Sequence, residues 1–149
     1  MQYQSALIVG AGSGLSASVA RAFAKAGMTI ALAARSTDDL AALAKETNAK
    51  TYQCDASDRA QVDHLFADLD TAGAPDVVVY NASYRTRGPF LELDPAEVEK
   101  SILVSSFAGF LVAQAAVKRM LPNHHGAVLF TGASASVKGY AQSAPFAMG

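Results

Sequence analysis

Cysteine is nearly absent. Cys54 is the single one in 149 residues, so no intramolecular disulfide can form, and a reducing compartment, the cytoplasm, is expected. Charge is scarce too, at 17% of residues. The formal net charge of −1 leaves no global field to draw the chain onto nucleic acid or an acidic membrane. With 51% of residues apolar, the composition suits a compact core and argues against disorder. No internal repeat, low-complexity tract or linker interrupts the chain, which predicts one domain over residues 1–149. Met1 leads into a short apolar run at 6–9 without a basic region or a longer apolar stretch, the pattern of a strand and not of a signal peptide. One run, 101–117, lacks charge altogether and at 17 residues touches the lower limit of a membrane span. It holds Ser101, Ser105, Ser106 and Gln114, and reads as a buried or interface helix.

Short β-like runs alternate with longer helical ones. Strands are predicted at 6–9, 28–33, 50–54, 76–80 and 127–131, and helices at 15–26, 37–46, 58–70 and 94–120. Ser36 is the expected N-cap of the second helix, with Asp39 completing a capping box. Asp94, Pro95 and Glu97 supply cap, first-turn proline and acid for one long helix ending before Pro122. The run Val77-Val78-Val79 is apolar on both strand faces, so it should be covered from both sides. Strands alternating with helices imply right-handed crossovers and a parallel sheet. The predicted class is therefore α/β, a doubly wound parallel sheet ordered 3-2-1-4-5 in three α/β/α layers.

The first strand ends in Val9-Gly10-Ala11-Gly12-Ser13-Gly14-Leu15-Ser16, and a helix follows at once. Glycines there let the backbone turn tightly and approach a pyrophosphate, whose charge sits at the helix N-terminus. Such a turn is weak alone; the preceding strand, following helix and second strand give it weight as a Rossmann-type dinucleotide site. An acidic residue closing the second strand would favour NAD(H). This chain has Ala34, then Arg35 and Ser36, a guanidinium and a hydroxyl suited to a 2′-phosphate, so NADP(H) is expected.

These residues resemble the short-chain dehydrogenase/reductase family. Gly10-x-x-x-Gly14-x-Ser16 is similar to that family's glycine fingerprint, with serine for the third glycine. Cys54-Asp55-Ala56 resembles the segment that meets the adenine, and Asn81-Ala82-Ser83 resembles an Asn-Ala-Gly motif on the ribose side. Ser134, in Gly132-Ala133-Ser134, falls where the family keeps its active-site serine. The resemblance implies an oxidoreductase acting on a carbonyl or alcohol. Gly10, Ser13, Gly14 and Leu15 would hold the pyrophosphate, Arg35 and Ser36 the 2′-phosphate, Asp55 and Ala56 the adenine, and Asn81, Ala82 and Ser83 the ribose.

The resemblance also exposes gaps. Its proton-donating tyrosine, counted 12 positions after Ser134, is Phe146, which cannot transfer a proton. Its lysine would follow Gly149, and its helical asparagine aligns with Ser105. Tyr140 and Tyr84 are the phenols that could substitute. The alternative is a catalytically silent NADP(H)-binding sensor or partner subunit. Because the fifth strand would be an exposed edge and the lysine is missing, a fragment of a longer enzyme, inactive by itself, is expected. The long fourth helix resembles the family's subunit-contact helix and implies a homo-oligomer.

Other conspicuous residues read more plainly. His124 and His125 lie in a turn without nearby carboxylate or cysteine in sequence, so a solvated turn is expected and not a metal site. Cys54 has no signature of a nucleophile. The loop Tyr84-Arg85-Thr86-Arg87-Gly88 follows a ligand-side strand end. It reads as a solvated basic face, with contact to substrate or a second phosphate as the alternative.

Overall fold

A computed structural model describes residues 2–149. Its strands are β1 (Ser5–Val9), β2 (Thr29–Ala34), β3 (Lys50–Gln53), β4 (Val77–Tyr80) and β5 (Ala127–Phe130). They form one parallel sheet in the order β3-β2-β1-β4-β5, as the alternation predicts. Val9 pairs with Ala33 on one side and with Tyr80 on the other, and Tyr80 pairs with Phe130. The register therefore brings the residues that follow each strand to a single edge of the sheet.

Side chains alternate across the strands and sort into two cores. Ala6 and Ile8 face Ala17, Ala20 and Leu43, from α1 (Leu15–Lys25) and α2 (Ala41–Thr47). Leu7 and Val9 face Phe66 and Val112, from α3 (Arg59–Asp70) and α5 (Ala108–Met120). β4 is buried along its whole length, as a strand covered on both faces must be. Asp58 caps α3 by accepting the N–H groups of Ala60 and Gln61. The stripe Val62, Leu65, Phe66 and Leu69 is the buried face of α3, at helical spacing. Phe66 is fully buried, and truncating such a ring costs about 3–5 kcal/mol. Arg119 ties α5 to α3 through a two-pronged ion pair with Asp70, both contacts at 2.7 Å. That pairing holds the Asp70 carboxyl below the usual carboxylate range.

Two helices depart from expectation. The second is not one helix from Thr37: a 3-10 turn, Asp38–Leu40, precedes α2. Ser36 does not cap it in the expected way. Its hydroxyl reaches only the Asp38 N–H, at 3.4 Å, and neither the 3-10 turn nor α2 has a side-chain cap. The long fourth helix is divided. α4 (Pro95–Ile102) begins at the Asp94 cap with Pro95 in its first turn, then gives way to a π turn, Leu103–Phe107, before α5. The Tyr80 hydroxyl donates to the Val104 carbonyl inside that turn. A π turn displaces carbonyls from the regular ladder, and a buried phenol gives this one a partner.

The charge-free run is part of a helical stretch, 95–123, apolar enough to cross a membrane by length and composition. Here it packs on the sheet: Ala108, Leu111, Val112, Ala115 and Ala116 are buried, while Phe107, Phe110 and Val117 are exposed. β5 is one of the two edge strands, with Leu129 and Phe130 exposed. At the N-terminal ends of the strands, Asp76 accepts the N–H groups of Gln4 and Ser5. His125 lies 3.9 Å from the same carboxylate, with its ring against Tyr3. The His124–His125 turn thus has a carboxylate neighbour that sequence proximity does not reveal.

Candidate functional site

The glycine turn is built around Gly10. Its φ is +80°, and a Cβ there would lie 2.3 Å from the Ala82 nitrogen. Only glycine accepts both conditions. The N–H groups of Gly10 and Ala11 both donate to the Ala33 carbonyl, fastening the turn to β2. Gly12 and Gly14 face open space instead. Gly14 occupies the N-cap of α1, no side chain caps that end, and no acidic residue stands in the first turn. That end of α1 suits an anion.

Ser16, where the fingerprint has a glycine, is buried and acts as a strut. It donates to the Gly10 carbonyl at 2.9 Å and accepts from the Asn81 amide at 2.7 Å. The other side of that amide accepts the Thr131 hydroxyl at 2.7 Å, and the Asn81 N–H donates to the Val9 carbonyl. The ends of β1, β4 and β5 are thereby joined by one hydrogen-bonded chain. Thr131 lies outside every motif that marks the site in the sequence. Its only signal is a hydroxyl directly after an apolar strand.

A cleft of about 590 Å³ opens between these strand ends. It brings together Gly10, Arg35, Ser36, Asp55, Ala56, Asn81, Ala82 and Ser83 from the expected set. Ser13, Gly14 and Leu15 do not line it; they are exposed on the turn beside it, and Leu15 borders an adjoining recess of about 650 Å³. Arg35 is exposed at the lip and, among the described residues, makes no ion pair. Asp55 accepts the N–H and hydroxyl of Ser57 with one carboxylate oxygen, at 2.9 and 2.6 Å. Its own N–H donates to Gln61. Burial, with Asp55 and Asp58 nearby, pushes the Cys54 thiol up to about 11. It therefore stays protonated at neutral pH, contrary to what a nucleophile needs.

Next to the 650 Å³ recess, and sharing Arg85, Ala133 and Phe146 with it, Ser134, Tyr140, Phe146, Arg85 and Arg87 surround a smaller recess of about 350 Å³. The hydroxyls of Ser134 and Tyr140 are 3.1 Å apart. Lys138 lies over the Tyr140 ring at 5.8 Å. Phe146 carries the Arg85 guanidinium on its ring face, 3.9 Å from the centroid. The other phenol is engaged elsewhere. Tyr84 hydrogen-bonds Glu97 through its hydroxyl, lies under Lys100, and donates its N–H to the Ser105 hydroxyl. Ser105 and Phe146 both border the 650 Å³ recess, together with Asn81 and Ser83.

A family model described as short chain dehydrogenase matches residues 4–148. The short chain dehydrogenase helC of Aspergillus fumigatus is 31% identical over 95% of this chain and 59% of its own length. The chain spans about half the length of the curated relatives it matches. A short-chain dehydrogenase from Streptomyces avermitilis superposes with a TM-score of 0.92 at 26% identity, over 98% of this chain and 55% of that one. ElxO with NADP bound superposes at 0.90 with 22% identity, over 98% of this chain and 62% of that one, a likeness of fold. With its sheet order, its strand-end motifs and a family match over nearly its whole length, the chain belongs to the short chain dehydrogenase family.

Proposed function

We propose that the protein is the nucleotide-binding part of an NADP(H)-dependent oxidoreductase that interconverts a carbonyl and an alcohol. In this reading Ser134 and Tyr140 form its proton-transfer end. The observation that carries it is the Ser134–Tyr140 hydrogen bond, in a recess that shares Arg85, Ala133 and Phe146 with the space beside the glycine turn. The residues present fit a dinucleotide. An uncapped helix N-terminus and two glycines facing open space suit a pyrophosphate, and an unpaired Arg35 beside Ser36 suits a 2′-phosphate. NADP is also what the fold-similar ElxO holds.

A dinucleotide bound there would supply the hydride, and the protein would supply the matching proton to the substrate oxygen. On this reading Ser134 would hydrogen-bond that oxygen, and Tyr140, whose hydroxyl is 3.1 Å from that of Ser134, would deliver the proton. Phe146 contributes a ring face and no proton. Asp55 and Ala56 would border the adenine, and Asn81, Ala82 and Ser83 the ribose. The exposed apolar residues Leu103, Phe107 and Leu121 on the α4–α5 stretch support self-association, which sedimentation of the purified chain would read as a species heavier than one copy.

Calorimetric titration with NADPH and NADH tests the cofactor reading. NADPH should bind more tightly, and Arg35→Ala should erase that difference while leaving NADH affinity nearly unchanged. Equal losses for both nucleotides would remove the 2′-phosphate assignment. NADPH binding without carbonyl reduction would favour the silent nucleotide-binding role.

A further inference from the structure

Resting on that oxidoreductase reading, we propose that the substrate is a small oxo or hydroxy acid whose carboxylate is held by Arg85, stacked on Phe146. The recess around Ser134 and Tyr140 is charged by Arg85 and Arg87 and contains no carboxylate among its walls. Neither arginine makes an ion pair among the described residues. A cleft wall of one sign draws an oppositely charged ligand and raises its local concentration.

Arg85 is also positioned more closely than an exposed loop arginine usually is. Its guanidinium lies 3.9 Å from the centre of the Phe146 ring. Stacking fixes the plane of the group and leaves its N–H edges free for a two-pronged carboxylate contact. A phenol at position 146 would bring a polar hydroxyl to the recess; phenylalanine there serves instead as a platform for the cation. Arg85 borders both the Ser134–Tyr140 recess and the space beside Asn81 and Ser83. An acid held by it would sit where the Ser134–Tyr140 recess meets the space beside Asn81 and Ser83. At about 350 Å³ the recess suits a molecule of few heavy atoms.

The test compares 2-oxopentanoate and 4-oxopentanoate with their methyl esters, titrated into the chain by NMR with and without NADPH. At least one acid should bind about fivefold or more tightly than its ester, as for a partly screened ion pair, and rising salt should shrink that preference. Arg85→Ala should abolish the preference, and Arg85→Lys should restore only part of it. Arg59→Ala, on exposed α3 surface, should leave it intact. Equal affinities for acid and ester, no detectable binding of either acid, or a preference that survives Arg85→Ala would each overturn the proposal. NADPH binding is read in the same samples. Its absence would sink the oxidoreductase reading, whereas its presence without an acid preference would sink the substrate assignment alone.

Discussion

Phenylalanine at position 146 cannot carry a proton, so the proposed reaction needs another hydroxyl beside Ser134, and the Tyr140 hydroxyl lies 3.1 Å from it. Tyr140→Phe should therefore lower turnover by about 10²- to 10⁴-fold, the usual worth of a positioned acid, with NADPH affinity unchanged. Steady-state rates alongside nucleotide titration separate the two effects, and retained turnover would exclude Tyr140 as donor. Ser16 makes the opposite point. Replacing it with the glycine of the family fingerprint deletes the bonds to Gly10 and Asn81 and loosens the first turn of α1. Ser16→Gly should destabilise the fold by about 2 kcal/mol, combining two modest hydrogen bonds with the helix cost of glycine. Urea denaturation reads this, and unchanged stability would mean that the strut holds nothing.

At the scale of elements, the strands were legible because apolar runs such as Val77 to Val79 admit burial on both faces and little else. The π turn was not. Leu103–Phe107 contains no glycine or proline to announce a break, and its carbonyl partner, Tyr80, is 24 positions away in sequence. The reaction end was legible only in part, for a similar reason. Tyr140 and Arg85 could be named as candidates, but the contact to Ser134 and the stacking on Phe146 depend on loops whose course periodicity does not encode. Tyr80→Phe tests the π turn. It leaves the Val104 carbonyl without its phenol and should cost about 1–3 kcal/mol. Burial pushes the Tyr80 phenol well above its ordinary range, so its folded form stays protonated where an unfolded one ionises. Its contribution is whole below about pH 10 and is lost as pH rises beyond that. The difference between wild type and variant should thus be flat from about pH 5 to 9 and shrink above it; a loss that varied across the neutral range would contradict the assignment.

In the whole molecule the cleft is made from the ends of four strands, and β5 joins them through Thr131 and Asn81. No single helix or hairpin contains it, so the site exists only when the sheet is assembled in its full register. A ligand that bridges the glycine turn, Arg35 and Asn81 must then bind the folded chain and not the unfolded one. Its binding energy appears as stability: about 2.7 kcal/mol at a hundredfold excess over Kd. For a domain of this length that corresponds to a rise in Tm of roughly 5–10 °C. NADPH should produce such a shift, and NADH at the same concentration a smaller one, if Arg35 meets the 2′-phosphate as proposed. Arg35→Ala should bring the two curves together without lowering the Tm of the free protein, since that exposed guanidinium has no ion-pair partner among the described residues. Differential scanning calorimetry measures all of this on the chain alone. If Arg35→Ala lowered the ligand-free Tm by as much as it lowered the NADPH shift, Arg35 would be a structural residue and the lip of the cleft would have to find its anion elsewhere.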